Sequence, residues 1–327
     1  MVDEVTEKPI AGKSKLSRRD FLKVAGVGTG AFIISNSLIG EYLSKLDPQI
    51  EKLENSLSEY KIAWKARPWV WINLAIASEK TDGIPILPGQ EISINKLFGF
   101  DEMDEVSRQN TDPSKGFIAA QLSDPSKLDG WGYGLCLGST AIFRASLRSP
   151  LLITERGTHY DIYNNYFKDM PIGTDAAVFK PDPGDTLPET DLKLKNPTNT
   201  ELILHFRIYD EFGKKLEPPK DNVSQMWYKA SYLDQVIKVL RNKIESTANI
   251  SLPDQYIPEY SFGNKKIIVQ NGISGKNIPY SAKFSTVKHD DSTIVNGISQ
   301  YAFTRDLTIY DNQNISNFNE KYISQYK

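Results

Sequence analysis

Cysteine and histidine are scarce in this chain of 327 residues. It contains one cysteine, Cys136, and three histidines, His159, His205 and His289. A single cysteine can form neither an internal disulfide nor a cysteine-rich zinc module, and the histidines lie far apart in sequence. We therefore expect no metal site and no other cofactor.

The chain also lacks an excess of basic residues, since 39 Lys and Arg stand against 41 Asp and Glu. The resulting net charge of −2 argues against a nucleic-acid-binding protein. The patterns His-Glu-x-x-His, Cys-x-x-Cys and Gly-x-Ser-x-Gly are absent, which removes the commonest hydrolase and metal motifs. A hydrophobic content of 39% nevertheless supplies enough apolar side chains for a globular core.

The first forty residues have the composition of an export signal. The segment Ser17-Arg18-Arg19-Asp20-Phe21 carries an arginine pair, and residues 24–39 are apolar, glycine-rich and uncharged. These features predict a twin-arginine signal over residues 1–40 and a protein exported to the cell envelope. The signal is either cleaved or retained as a short membrane anchor.

Apolar residues recur at three- and four-residue spacing after the signal, which predicts a helical linker over residues 41–68. The residues of this stripe are Leu43, Leu46, Ile50, Leu53 and Leu57. Arg67-Pro68 then marks the start of a domain over residues 69–208. Residues 209–327 are predicted to be a β-rich extension, with strands near 265–269, 301–304 and 307–310 and a helix over 230–244. The predicted class is α+β with more strand than helix.

Cys136 follows a glycine-rich segment, Gly130-Trp131-Gly132-Tyr133-Gly134, and precedes a run of helical composition that ends before Pro150. The thiol is therefore predicted to lie near a helix N-terminus. The free N–H groups there favour a thiolate, which is the nucleophilic form of cysteine. A small buried hydrophobic residue is the alternative interpretation of a lone cysteine.

His159 is expected in a polar turn after a strand that begins near residue 151, where its side chain could enter a cleft. Asp175, in Gly173-Thr174-Asp175, could orient the imidazole in a Cys/His/Asp arrangement or could cap a turn. His205 lies within a predicted strand and is interpreted as structural, and His289 as solvated.

Several short motifs together resemble the VanW-like family. That family has a Pro-Gly-Glu-x-Phe-Ser-x-Asn stretch, a Gly-Gly-Gly-Ile-Cys-Gln-x-Ser-Thr segment, a Glu-Arg, a His-Ser and a Gly-x-Asp-Ala-Thr-Val. The corresponding stretches here are Pro88–Asn95, Tyr133-Gly134-Leu135-Cys136-Leu137-Gly138-Ser139-Thr140, Glu155-Arg156, His159-Tyr160 and Gly173-Thr174-Asp175-Ala176-Ala177-Val178. Leu137 replaces the family's Gln after the cysteine, and Tyr160 replaces its Ser after the histidine. A Gln that binds substrate or stabilises an oxyanion would be lost through the first of these replacements.

The resemblance implies a strand-rich domain that acts in cell-wall biology. The family is named after an accessory protein of glycopeptide resistance, and some members are described as cysteine L,D-transpeptidases that cross-link peptidoglycan. By analogy, Cys136 would be the nucleophile and His159 the base, with Asp175 orienting the imidazole. The residues expected to contact the stem peptide are Gly134, Ser139, Thr140 and Arg156. For Arg156, a salt bridge at the strand end is the alternative role.

Two other functions remain open from the sequence. One is a non-catalytic accessory protein that binds peptidoglycan through the same cleft, which the replacements at Leu137 and Tyr160 favour. The other is a cysteine amidase or endopeptidase, in which water instead of an amine resolves the thioester. In all three cases the partner is a peptidoglycan stem peptide.

Overall fold

The described part of the computed structural model forms three antiparallel sheets and a few helices. It comprises residues 50, 52–102, 110–119, 132–160, 171–181, 188–220, 265–276, 278–285, 288–289, 299–311 and 314–326. All of these residues belong to one compact unit, Leu46–Lys327. Within these ranges, no helix combines the length and the apolar character needed to span a bilayer.

The first sheet has four strands in the order β1-β7-β6-β2. Its strands are β1 (Ser56–Ala66), β2 (Ile84–Ile86), β6 (Leu202–Asp210) and β7 (Lys265–Gly275). Side chains on β6 alternate between buried and partly exposed, and Leu202, Leu204 and Phe206 are fully buried. This period of two places one face of the sheet against the core.

Two helices contact this sheet. The first, α1 (Pro68–Thr81), begins at a proline, which suits the first helical turn because the ring has no N–H to satisfy there. The other is α3 (Leu135–Leu147), and it approaches the sheet closely at Gly138, where an added Cβ would lie 2.8 Å from Cζ of Phe206. The absence of a side chain at this position therefore allows the close packing of α3 on β6.

Two further sheets complete the described fold. One has the order β3-β5-β4, formed by β3 (Glu91–Ser93), β4 (Leu152–Arg156) and β5 (Leu192–Lys195), and the short helix α2 (Ile94–Phe98) follows β3. The other has the order β11-β10-β8, formed by β8 (Tyr280–Phe284), β10 (Ser299–Asp311) and β11 (Asn314–Tyr326), and β9 (Lys288–His289) also pairs with β10. Short 3₁₀ turns occur at Phe100–Glu102 and Pro113–Lys115.

The predicted α+β class with a β-rich C-terminal part is confirmed. The predicted helical linker is wrong over Ser56–Ala66, which forms β1. The alternate burial of Ser58, Tyr60 and Ile62 on β1 has the period of a strand, and pairing with the distant β7 stabilises it. The signal over residues 1–40, the linker residues 41–49 and the helix over 230–244 lie outside the described residues.

The predicted domain boundaries at residues 68 and 208 do not divide the strands into separate sheets. The first sheet takes β1 from the predicted linker, β2 and β6 mainly from the central segment, and β7 from the predicted extension. A single buried apolar cluster includes side chains from all three segments, such as Ile62, Phe206 and Val269. The three predicted segments therefore share one core.

Candidate active site

Cys136 lies in the first turn of α3, as the sequence predicts. The preceding Gly134 caps the helix with φ +99°, a conformation that side-chain-bearing residues rarely adopt. A Cβ on Gly134 would also lie 2.9 Å from Cγ1 and 3.0 Å from the carbonyl oxygen of Val70 on α1. Gly134 thus fixes the start of α3 against α1 and sets the position of the thiol.

His159 and Asp175 are brought together by a local antiparallel pairing. Gly157 and Ala177 form a bridge, with the N–H of Ala177 donating to the carbonyl of Gly157 at 3.0 Å. His159 lies two residues after Gly157, and Asp175 lies two residues before Ala177. In an antiparallel pair these two positions face each other. The distance from Nδ1 of His159 to Oδ2 of Asp175 is 2.6 Å.

The imidazole of His159 also lies close enough to the thiol of Cys136 for the sulfur to affect its protonation. Because Nδ1 is engaged with Asp175, Nε2 is the nitrogen that remains for the sulfur. Burial opposes the charged imidazolium, but the hydrogen bonds with Asp175 and Cys136 outweigh it and raise the pKa of His159 to about 9. At neutral pH the site therefore holds a protonated imidazole beside the sulfur.

Asp175 is fully buried and its carboxylate is held on both oxygens. Oδ2 accepts the backbone N–H of His159 at 2.9 Å, and Oδ1 accepts the hydroxyl of Tyr326 on β11. Burial opposes the ionised carboxylate, but the hydrogen bonds from His159 and Tyr326 outweigh it and keep the pKa of Asp175 below its ordinary value. Asp175 is thus a fixed anion behind the imidazole.

Ser139 and Thr140 are fully buried, and both bind the backbone of Ala176. The hydroxyl of Ser139 donates to the Ala176 carbonyl at 2.6 Å, and that of Thr140 donates to the same oxygen at 3.1 Å. The Thr140 hydroxyl also accepts the N–H of Ala176 at 3.1 Å. These contacts dock α3 beside Asp175, so the geometry gives both residues a supporting role in place of the predicted contact with substrate.

Arg156 has a similar supporting role. One terminal nitrogen, Nη1, donates to the carbonyls of Gly173 and Asp175 at 2.7 and 3.2 Å. The other, Nη2, donates to the carbonyl of Ile323 at 2.9 Å and to the hydroxyl of Ser324 at 2.6 Å. The guanidinium also lies over two aromatic rings, those of Phe143 and Tyr322. Arg156 thus joins residues 173–175, called here the Asp175 segment, to β11. These four donor contacts are to the protein itself and not to an open cleft.

The thiol has a hydrogen-bond acceptor and a nearby backbone donor. Sγ of Cys136 lies 3.5 Å from the carbonyl oxygen of Val178. Among the described residues, no backbone carbonyl accepts the N–H of Cys136, whereas the N–H groups of Leu137 and Gly138 donate to Gly134. An unpaired N–H in the first turn of a helix can stabilise the oxyanion that forms when the sulfur attacks a carbonyl group.

The two replacements relative to the VanW pattern lie in different surroundings. Leu137 is 1% exposed and belongs to the apolar core. A side chain at this position therefore lies in the core and away from solvent. Tyr160 is 59% exposed, so its side chain lies at the surface.

Two buried polar residues were missed from the sequence, of which Tyr326 contacts Asp175. Tyr326 lies in a tail that resembles a solvated surface, and Asn73 lies within an apolar run. The amide of Asn73 donates to the carbonyls of Ile118 and Tyr133 at 3.0 and 3.2 Å and accepts the N–H of Ile118 at 2.8 Å. A polar residue inside the apolar run of α1 was the available signal for Asn73, since a buried amide needs partners.

His205 lies on β6, where its Nε2 is 2.8 Å from the hydroxyl of Ser274 and its Nδ1 is 3.3 Å from Asp82. Asp82 in turn receives Arg207 and Lys215. His289 lies on β9. In the described part of the chain, no group of three or more histidine, cysteine or acidic side chains could hold a metal ion.

Residues 71–213 match a family model described as VanW like protein. The matched segment contains Cys136, His159 and Asp175 and ends before β7, β10 and β11. No curated protein and no solved structure matches the chain.

Proposed function

Because residues 71–213 make this chain a VanW-like protein, we propose that it is a cysteine L,D-transpeptidase that acts on peptidoglycan stem peptides. The observation that carries the proposal is the grouping of Cys136 with His159, whose imidazole pairs with Asp175 at 2.6 Å. A nucleophile, a base and a group that orients the base form the arrangement that acyl transfer requires. The buried position of Leu137 is compatible with the proposal, because this replacement places an apolar side chain in the core.

The first half of the reaction forms a thioester. Cys136 reacts as a thiolate paired with the imidazolium of His159. Its sulfur attacks the carbonyl carbon of the third residue of a donor tetrapeptide, and the N–H of Cys136 donates to the resulting oxyanion. The imidazolium of His159 gives its proton to the departing nitrogen of the terminal D-amino acid, and the C–N bond breaks. Asp175 keeps the ring in place while its charge changes.

The second half transfers the acyl group. An amine from a neighbouring stem peptide attacks the thioester carbonyl, and neutral His159 accepts a proton from that amine. The C–S bond then breaks, and the sulfur returns as a thiolate beside the protonated imidazole. The products are a new amide cross-link and the enzyme in its starting state. If water attacks instead, the same steps give a trimmed tripeptide.

Intact-mass spectrometry tests the activity directly. We expect the wild-type protein, mixed with a disaccharide-tetrapeptide, to gain the mass of that substrate less the terminal D-amino acid and to release a cross-linked dimer. A Cys136→Ala variant serves as the matched control and should show neither. Trimmed tripeptide without dimer, even with a supplied acceptor amine, would assign a hydrolase. The absence of adduct and product together with measurable muropeptide binding would assign the non-catalytic accessory role.

The proposal includes export by the twin-arginine route, which the arginine pair and the uncharged apolar segment support. We expect wild-type protein in the cell-envelope fraction of a host that has this pathway. A variant with Arg18→Lys and Arg19→Lys should accumulate in the cytoplasm, because it keeps the charge but loses the arginine pair. Equal distribution of the two proteins would contradict this route.

A further inference from the structure

Strand β11 contacts the candidate site although it lies outside the segment that matches the family model. Tyr326 is 1% exposed, and its hydroxyl donates to Oδ1 of Asp175 across 151 residues of sequence. Asp175 presents its other oxygen, Oδ2, to His159. The two contacts together determine the rotation of the carboxylate, because each oxygen has a different fixed partner.

Ser324 lies two residues before Tyr326 and therefore on the same face of β11. Its hydroxyl donates to the carbonyl of Gly173 at 3.0 Å and accepts Nη2 of Arg156 at 2.6 Å. Gly173 lies two residues before Asp175 and also receives Nη1 of Arg156. Strand β11 thus holds the backbone of the Asp175 segment as well as its carboxylate.

The strand is itself anchored near the C-terminal end of α3. Glu320 on β11 accepts the N–H of Ile153 at 3.0 Å and pairs with the fully buried Arg305 of β10. Arg305 donates to the carbonyls of Ser146 and Leu147, at 2.9 and 3.1 Å. These contacts tie the third sheet to the helix that carries Cys136, so β11 has a fixed position relative to the thiol.

We infer that β11 is part of the active site and that Tyr326 and Ser324 are positioning residues that hold Asp175 in line with His159. Asp175 is fully buried, so a lost phenol donor leaves its Oδ1 without a substitute from bulk water. A carboxylate freed on that side turns more easily and gains a proton at higher pH. In either case the imidazolium loses support, and it then stabilises the thiolate less well.

Alkylation of the single thiol tests this inference and depends on the proposed function only in requiring a reactive Cys136. The rate with iodoacetamide is measured against pH for the wild type, Tyr326→Phe and Ser324→Ala, with Tyr310→Phe as the matched control. Tyr310 lies on β10 and is 45% exposed. We expect the acid midpoint of the Tyr326→Phe profile to rise by about half to one pH unit, which is a three- to tenfold slower reaction below both midpoints. Ser324→Ala should shift in the same direction by less, and Tyr310→Phe should match the wild type.

A folded Tyr326→Phe protein whose profile coincides with the wild type would overturn the inference. If this variant does not fold, the shift of Ser324→Ala decides in the same way. A second measurement repeats Tyr326→Phe in an Asp175→Asn background, where the effect should disappear because the phenol acts through Asp175. Full persistence of the effect there would contradict a positioning role. Since no muropeptide is present, these outcomes are independent of whether the protein cross-links peptidoglycan.

Discussion

Oδ2 of Asp175 receives two donors from the same residue, the ring Nδ1 of His159 at 2.6 Å and its backbone N–H at 2.9 Å. This double contact fixes the main chain of His159 together with the orientation of its ring. The remaining ring nitrogen, Nε2, is then the one available for Cys136, whose proximity contributes to the raised pKa of His159. One buried carboxylate oxygen therefore determines where the base lies relative to the nucleophile.

Replacement of His159 by Gln should slow alkylation of the thiol. Below about pH 9 the imidazolium places a positive charge beside the sulfur, and Gln supplies a hydrogen bond without that charge. We expect iodoacetamide to react with wild-type Cys136 at least about tenfold faster than with the variant at pH 6.5. Because the chain has one cysteine, total alkylation measured by mass spectrometry reports this site alone. Equal rates would mean that the imidazole does not activate the sulfur.

The raised pKa of His159 also predicts a pH dependence of stability. The folded protein binds the proton with a pKa of about 9, and the unfolded chain with the ordinary value of 6.5. The stabilisation is therefore complete below pH 6.5 and is lost as pH rises from 6.5 through 9. A shift of this size corresponds to about 3 kcal/mol of unfolding free energy. Urea unfolding of wild type and His159→Gln at pH 6 and 9.5 measures it, and the difference between the two proteins should shrink at the higher pH.

Gly134→Ala should destabilise the protein and displace the thiol. The new Cβ would lie 2.9–3.1 Å from three atoms of Val70, and the backbone would keep φ +99°. We expect a loss of about 2–4 kcal/mol in unfolding free energy. Gly83→Ala is a matched control, because Gly83 has φ +84° but no atom within 4 Å of an added Cβ. The control should lose less stability and keep the wild-type alkylation rate, and equal losses would show that Val70 is not the cause.

Arg156→Lys distinguishes a positioning role from substrate binding. Lysine keeps the charge but cannot reach the carbonyls of Gly173, Asp175 and Ile323 together, so the Asp175 segment should loosen. We expect a lower kcat with little change in KM in the muropeptide assay. A raised KM with unchanged kcat would instead return Arg156 to the substrate-binding role that the sequence suggests.

The three central residues of the site could be placed from short sequence motifs. Glycines before Cys136 and a helical composition after it locate the thiol at a helix start, and a polar turn after a strand locates His159. These are local features that neighbouring residues determine. The roles of Ser139 and Thr140 could not be read in this way, because a motif does not show whether a hydroxyl faces a cleft or a backbone carbonyl.

Long-range pairing explains the other errors. Leu53 and Leu57 continue a helical spacing, but β7 pairs with the residues that follow and holds them in a strand. Tyr326 is one of sixteen tyrosines and has no local feature that marks it as buried. Its importance arises from a partner 151 residues earlier in the chain. A sequence pattern indicates the spacing of residues within a segment but does not identify partners that are distant in the chain.

The place of β7 between β1 and β6 has a consequence for how the protein folds. Contacts across this sheet join distant residues such as Glu59 and Gln270, which are 211 positions apart. Chains with many such distant contacts fold slowly, because large loops must close before the contacts form. During synthesis, β1 cannot pair until β7 has been made. Asp175 of a nascent chain likewise lacks its phenol partner, Tyr326, until β11 has left the ribosome.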